Sequence, residues 1–360
     1  MRRKYTTDCQ AGDSLAKPIY NDIGAVLINR GIKLTDALIQ RLIQLEVDFV
    51  YIVDERVSDI QMEEVLSDNT RQVALKTIKT TFQDLFRDKL VHHPLTKGNL
   101  ASSFRPIISD MLSDMQMNLN AMVMLSDIFV KDFYLYNHSL QVAIYSMAMG
   151  MAKDFTQQQI CDLGLGALLH DIGKTKLSIE LLNKERLTSE EFQLYEKHTQ
   201  YGFNILRKEH GLSLLSAHCA LQHHEQIDGR GYPRHLVDQD IHEYARIVSI
   251  ADLYDRLTSN QPRSRQLLPH HALEYMNTRV GHEIDREWLG IFKQMIAPYP
   301  LGVALKLNTG EMGVVVDINS KYADRPVVRI LEHENGETFE PYEIDLSKNQ
   351  GKIIVGYSSF

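Results

Sequence analysis

Between residues 126 and 297 the chain reads as one helix after another, and most of its 15 histidines fall there. The densest run is His170-Asp171-Ile172-Gly173-Lys174. It follows Leu163, Leu165, Ala167 and Leu168, which read as the buried side of a helix. Imidazole and carboxylate groups set into apolar text are costly to bury alone. A helical domain written this way must pair those groups with each other or give them a shared cation, and few folds can do that.

The rest of the chain divides around this stretch. Its 360 residues allow two or three domains. Residues 1–60 read as a small α/β unit. Asn21-Asp22-Ile23-Gly24 marks a turn between short apolar runs, Thr35 caps a helix through Leu45, and Phe49 to Val53 reads as a strand. Residues 61–125 read as a helical connector with breaks at His93-Pro94 and near Pro106. Residues 126–298 form the histidine-bearing domain. After Pro298-Tyr299-Pro300, residues 299–360 change to β text: Val314-Val315-Val316, Val327-Val328-Arg329-Ile330 and Ile353-Ile354-Val355. Turn signals at Asn308-Thr309-Gly310 and Asn335-Gly336 separate these runs. The expected fold class is mainly α, a helical domain flanked by a small α/β unit and a small β unit.

Composition excludes several roles. With 44% hydrophobic and 24% charged residues the chain is globular, and a net charge of -8 argues against a nonspecific binder of DNA or of a membrane surface. Cys9, Cys161 and Cys219 are distant, odd in number and without a CxxC pair, so neither a thiolate zinc site nor a disulfide framework is expected. The first eight residues hold no apolar core, and Val142 to Ala152 is too short to span a bilayer. A cytoplasmic protein is expected.

A second dense run is His223-His224-Glu225, followed by Asp228-Gly229-Arg230-Gly231-Tyr232-Pro233. Adjacent histidines at a helix end can serve neighbouring metals. Gly229 and Gly231 permit a positive φ, so the following segment reads as a tight loop whose tyrosine can close over a ligand. His138 and His198 lie on further helices, the latter after a capping-box start at Thr188-Ser189-Glu190-Glu191. Asp252 interrupts Ile247-Val248-Ser249-Ile250-Ala251 and needs a partner, either a metal or an arginine such as Arg246. Each residue taken singly is better explained by a packed or surface side chain. His170 and Lys174 also fit a plain helix C-terminus, with Gly173 at its end. All of them together in one helical domain point to metals. Histidine and aspartate without cysteine suit Fe, Mn, Ni, Co or Zn. Two such ions about 3.5–4 Å apart can activate water and hold both ends of a displacement at phosphorus. No glycine-rich phosphate motif or nucleophilic triad competes with this reading.

These residues resemble the HD-GYP family, a branch of the HD phosphohydrolases that cleaves the bacterial second messenger cyclic di-GMP. The resemblance covers about 126–297. It rests on His138-Ser139, HDxGK at 170–174, His198 with Gly202, HHExxDGxGYP at 223–233, Ala245-Arg246-Ile247, and the pair Asp252 and Asp255. The long HHExxDGxGYP string carries most of its specificity. The resemblance implies metal ligation by His138, His170, Asp171, His198, His223, His224 and Asp252, with Asp171 bridging two ions. Lys174 would touch the scissile phosphate or its bridging water. Gly231, Tyr232 and Pro233 would shape the loop beside the substrate, with Asp255, Arg263 and Arg265 as further substrate contacts. Members with three metals carry Glu four residues before the first histidine. Tyr134 stands there, which implies two divalent ions. Where the family reads D-A-L-T-S-D-R-P-Y, this chain has Arg256 for the Ala, Gln261 for the phosphate-holding Arg and Arg263 for the Tyr. Arg256, Arg263 and Arg265 are the residues able to restore that charge. Ser178 replaces a proline, a minor change.

The implied activity is hydrolysis of cyclic di-GMP to pGpG, GMP or both. Two alternatives stand beside it: a metal-bearing sensor or docking module with weak turnover, and an HD hydrolase for another phosphoester. A homodimer or a signalling partner would engage the helical connector or the GYP loop.

Overall fold

The computed structural model of the protein describes residues 1–21, 25–45, 47–60, 65–91, 100–117, 134–259, 266–319, 321–336 and 338–358. They form two compact units.

The first unit joins both ends of the chain. Its N-terminal part holds β1 (Arg2–Tyr5), β2 (Ile19–Tyr20), β3 (Val26–Ile28), α1 (Asp36–Gln44) and β4 (Phe49–Ile52). β1 pairs antiparallel with β4, and β2 with β3. Residues 22–24 of the expected turn lie outside the described residues, but Asn21 and Ala25 on either side are hydrogen-bonded through both backbone and side chain. Thr35 caps α1 by accepting from the Leu38 N–H, and Ile39 and Leu42 turn inward from one face.

The C-terminal part is a five-stranded antiparallel sheet of β5 (Ala304–Leu307), β6 (Glu311–Asp317), β7 (Val327–His333), β8 (Thr338–Asp345) and β9 (Ile354–Tyr357), in the order β8-β7-β6-β5-β9. Both of its faces are apolar. Val315, Val328 and Ile330 pack with Leu305 and Ile344 in one cluster. Val314 and Leu331 pack with Val57 and Ile60 from the N-terminal part in another. Arg329 ties the two parts together, reaching Asp59 at 2.6 Å and Glu343 at 2.7 Å. The two ends, expected as separate domains, thus share one unit.

The second unit is helical. It contains α2 (Asp68–Val91), α3 (Leu100–Met117), α4 (Tyr134–Ala152), α5 (Gln157–Leu168), α6 (Ile179–Asn183), α7 (Ser189–Glu196), α8 (His198–Leu206), α9 (Leu214–Gln222), α10 (Glu243–Thr258), α11 (Pro269–Thr278) and α12 (Arg286–Met295). The connector helices α2 and α3 therefore belong to this unit. The expected break at Pro106 is absent: α3 runs through it, held by buried Phe104, Ile107, Ile108 and Met111 on one face. Proline removes one helical hydrogen bond, and that face outweighs the loss. The break expected at His93-Pro94 lies outside the described residues. α4 is the central helix, with Val142, Ala143, Tyr145 and Met147 fully buried. Tyr145, Tyr254 and Phe292 meet edge to face and lock α4, α10 and α12 together. Capping boxes start α5 at Thr156 and α7 at Thr188. No described helix is long and apolar enough to cross a membrane.

Candidate metal centre

Five elements converge on one buried point. His138 comes from α4, His170 and Asp171 from the turn after α5, His198 from the start of α8, His223 and His224 from the end of α9, and Asp252 from α10. His138, His170, Asp171, His198, His223 and Asp252 are almost wholly shielded from solvent.

The Asp171 carboxylate divides the donors. Its Oδ2 faces His170 Nε2 at 3.4 Å and His138 Nε2 at 3.6 Å. Its Oδ1 faces His198 Nε2 at 3.6 Å and His223 Nε2 at 3.8 Å. On one side His138 Nε2 lies 3.2 Å from both His170 Nε2 and Asp252 Oδ1. On the other, His198, His223 and His224 form a second group whose ligand atoms lie within 4.8 Å of one another. Donors held about 2.0–2.2 Å from one ion sit roughly 3–3.5 Å apart, so these spacings fit shared cations.

Hydrogen bonding sets the tautomers. His170 Nδ1 lies 2.7 Å from the Ala167 carbonyl, His198 Nδ1 2.6 Å from that of Tyr195, and His223 Nδ1 3.0 Å from that of Cys219. A carbonyl only accepts, so each Nδ1 carries the proton and each Nε2 presents a lone pair. His138 is oriented instead by Asp255, whose Oδ2 lies 2.7 Å from Nδ1. The Nε2 atoms of His198, His223 and His224 and the Oδ1 of Asp171 find no hydrogen-bond partner among the described residues. Leaving such atoms buried and unpaired costs about 1–3 kcal/mol each. Divalent cations satisfy all four at once, so the residues fit a metal centre.

The charges agree. Burial disfavours a charged His138, but its bonds to Asp252 and Asp255 prevail and push its pKa up to about 9. Burial brings His198 down to about 4 and holds His223 and His224 well below the usual imidazole value. Asp171 stays well below the carboxylate range: burial opposes this, but Lys174 and His170 overcome it. Asp252 is held down likewise by Arg256 and His138. Lys174, buried against Asp171 Oδ2, keeps its proton more firmly than a free lysine.

The loop after His224 forms one wall. The Tyr232 ring lies 4.7 Å from that of His224, and its N–H donates to the His224 carbonyl. The Tyr232-Pro233 bond is cis, and Gly229 has φ +79°. Gly231 corrects an expectation, since its φ is not positive. Glycine is required there because a Cβ would lie 2.3 Å from Gln226 N and 2.4 Å from His224 O. Gly173 is likewise no helix terminator. It sits in a 3₁₀ turn over 172–176, where a Cβ would lie 1.9 Å from the His198 carbonyl oxygen.

Other residues fall differently from the sequence reading. Arg246 pairs with Asp285, and the arginine on Asp252 is Arg256, Nε to Oδ2 at 3.0 Å. Asp255, expected at the substrate, is buried behind His138. Tyr134 stacks on His138 at 5.0 Å. Burial, then Asp255 and Asp252, hold its phenol well above its usual pKa, so it stays protonated. Gln261, Arg263 and Arg265 lie outside the described residues. Sequence reasoning missed a role for Glu225, whose two oxygens accept the N–H groups of Arg234 and Leu236 and clamp the loop. It also missed Tyr195, whose carbonyl orients His198.

A family model described as an HD domain matches residues 107–288, half of the chain. The chain belongs to the HD domain family. Residues 304–359 match a KOW domain associated with the HD domain, and the HDxGK and HHExxDGxGYP strings make this an HD-GYP protein. It is 28% identical to a cyclic di-GMP phosphodiesterase of Pseudomonas aeruginosa over 81% of this chain and 70% of that one. It is 31% identical to a cyclic di-GMP phosphodiesterase of Thermotoga maritima over 49% of this chain and 46% of that one. It is 32% identical to a 3'3'-cGAMP-specific phosphodiesterase of Vibrio cholerae over 47% of this chain and 37% of that one. The matches thus span less than half the length of the last two relatives.

Proposed function

We propose that this HD-GYP protein is a metal-dependent phosphodiesterase that hydrolyses cyclic di-GMP to pGpG, GMP or both. The observation that carries the reading is the buried, unpaired set of His198, His223 and His224 Nε2 with Asp171 Oδ1, facing the second group of His138, His170 and Asp252. Two groups spanned by one carboxylate support a pair of ions, and imidazole with carboxylate suits Fe, Mn, Ni, Co or Zn. Bound there, the ions would polarise the phosphoryl oxygens and lower the pKa of an attacking water.

The chain's own residues do the rest. Asp171 faces both donor groups and holds Lys174 beside them. Lys174 stays protonated and presents a cation to phosphate oxygens. Asp255 fixes the His138 ring, and Glu225 fixes the loop that lays Tyr232 over His224. The cyclic di-GMP phosphodiesterases among the relatives support the substrate class. The test is metal analysis of anaerobically purified protein, then turnover of cyclic di-GMP, cyclic GMP-AMP and pGpG with each metal. Metal-loaded protein that binds cyclic di-GMP but cleaves neither it nor pGpG refutes the enzyme reading in favour of a sensor. Cleavage of cyclic GMP-AMP alone refutes the substrate.

A further inference from the structure

The short helix α7 is set by its start and not by a core. Thr188 opens it with a capping box, Lys184 pairs with Glu191, and none of its side chains is fully buried. Phe192, in the middle of this helix, is 45% exposed. Core packing therefore does not account for an aromatic ring at this position.

The rings that Phe192 touches lead to the metal centre. It meets Tyr232 edge to face at 6.1 Å and lies nearly parallel to Tyr195, with centroids 6.4 Å apart. Tyr232 lies 4.7 Å from the ring of His224, and Tyr195 lies 4.9 Å from that of His198. Tyr195 also has Lys174 Nζ 5.6 Å from its centroid. Phe192 thus stands one ring out from two of the histidines that gather at the centre. Its two aromatic neighbours fix its place, and nearly half of the residue stays open to solvent. A phosphodiester with its phosphorus among these buried imidazoles must carry its sugars and bases outward. A nucleobase has a flat face that stacks on an aromatic side chain, and the gain depends little on which base it is.

We propose that Phe192 is the platform on which a nucleobase of the bound phosphodiester stacks. A phenyl ring reads no base edge, so Phe192 adds affinity for a base without selecting guanine over adenine. The inference rests on the phosphodiesterase reading above for the phosphate at the ions.

The test compares wild type, Phe192→Ala, Phe192→Leu and Phe192→Trp as full-length, metal-saturated proteins. Metal content and thermal unfolding are measured first. Affinities for GMP, AMP and ribose 5-phosphate are then measured by calorimetry, and KM and kcat are measured with cyclic di-GMP. Ribose 5-phosphate shares the phosphate and sugar of the nucleotides and lacks only the base. Phe192→Ala should keep its metal and bind GMP and AMP about 5–100-fold more weakly, with ribose 5-phosphate within about twofold of wild type. Phe192→Trp should match or exceed wild type for both nucleotides, and Phe192→Leu should fall between Ala and Phe. GMP affinity within about twofold of wild type in Phe192→Ala overturns the proposal. So does an equal loss for ribose 5-phosphate, since Phe192 then acts only by holding Tyr232 and the centre behind it. A wild type that binds GMP no more tightly than ribose 5-phosphate overturns it as well. Should Phe192→Ala not fold, Phe192→Leu decides: a deficit confined to the nucleotides supports the proposal, and its absence overturns it. A base-dependent loss in Phe192→Ala, with cyclic di-GMP left intact by wild type, supports this inference and refutes the phosphodiesterase reading. Turnover of cyclic di-GMP with an unchanged KM and unchanged GMP affinity in Phe192→Ala does the reverse.

Discussion

Gly173 is where one added methyl group should disable the site without altering a single ligand. A Cβ there lies 1.9 Å from the His198 carbonyl oxygen, 2.5 Å from Gly202 N and 2.8 Å from His198 C. All three are backbone atoms, so no side chain can swing aside. Reaching even 3.0 Å from the oxygen, a distance real Cβ atoms keep, means opening the contact by more than 1 Å. The opening separates the turn that carries Asp171 and Lys174 from α8, which carries His198. Asp171 Oδ1 and His198 Nε2 now face each other at 3.6 Å, and such a shift would take them out of range of one ion. Overpacking of this kind costs about 1–3 kcal/mol, a fall in Tm of roughly 3–10 °C for a domain this size. A misplacement near 1 Å costs on the order of 100-fold in rate. Gly173→Ala should therefore show lower Tm, lower metal content and depressed turnover of bis(p-nitrophenyl) phosphate. Gly290→Ala is the control, because a Cβ at that site in α12 meets nothing within 4 Å. The reasoning fails if Gly173→Ala matches wild type in all three measurements.

Asp171→Ala removes the carboxylate common to both donor groups, so elemental analysis should find background metal and turnover should vanish together; retained ions would deny it the bridging place. Lys174→Ala should keep its ions and lower kcat by about 10²–10³, and metal loss would reassign Lys174 to holding Asp171. In metal-free protein, His198 is depressed from 6.5 to about 4, so its contribution to stability is present above pH 6.5 and is lost as pH falls towards 4. His138 is raised from 6.5 to about 9, so its contribution is full below pH 6.5 and is lost as pH rises through 9. The Tm of the metal-free protein should thus fall on both sides of neutrality, with His198→Gln flattening the acid limb and His138→Gln the alkaline one; unchanged limbs would refute both assignments.

The fold was legible where a local pattern decides it and obscure where distant segments meet. Val314-Val315-Val316 announces a strand, and an unbroken apolar run also says that both faces are covered. Nothing local says by what. The cover on the second face includes Val57 and Ile60, some 250 residues earlier in the chain. Pro106 misled for a related reason: proline reads as a break wherever propensity decides, and here the buried face of α3 decides. The same limit made Arg246 the arginine offered for Asp252 beside a metal. Both arginines lie on α10, but Arg256 is at i+4 from the acid and shares its side of the helix, whereas Arg246 at i−6 faces Asp285.

The histidines that gather at the candidate metal centre were legible as a set, but the groups that aim them were not, and their places on the helices explain the difference. The last carbonyls of a helix have no partner within it. His170 follows α5, His198 follows α7 and His223 caps α9, so each donates its Nδ1 proton to a carbonyl three or four residues back. His138 lies inside α4 and takes its acceptor from another helix. Asp255 on α10 supplies it. This is why Asp255, expected at the substrate, is buried against His138. The consequence is testable, because the His138 ring depends on a replaceable side chain. Asp255→Asn keeps the size and one acceptor but loses the charge, and should weaken metal binding about 10–100-fold in chelator competition. Tyr195→Phe, which leaves the carbonyl that orients His198 in place, should not change it through that contact. Equal metal affinity in Asp255→Asn and wild type would show that the ring is held by packing alone.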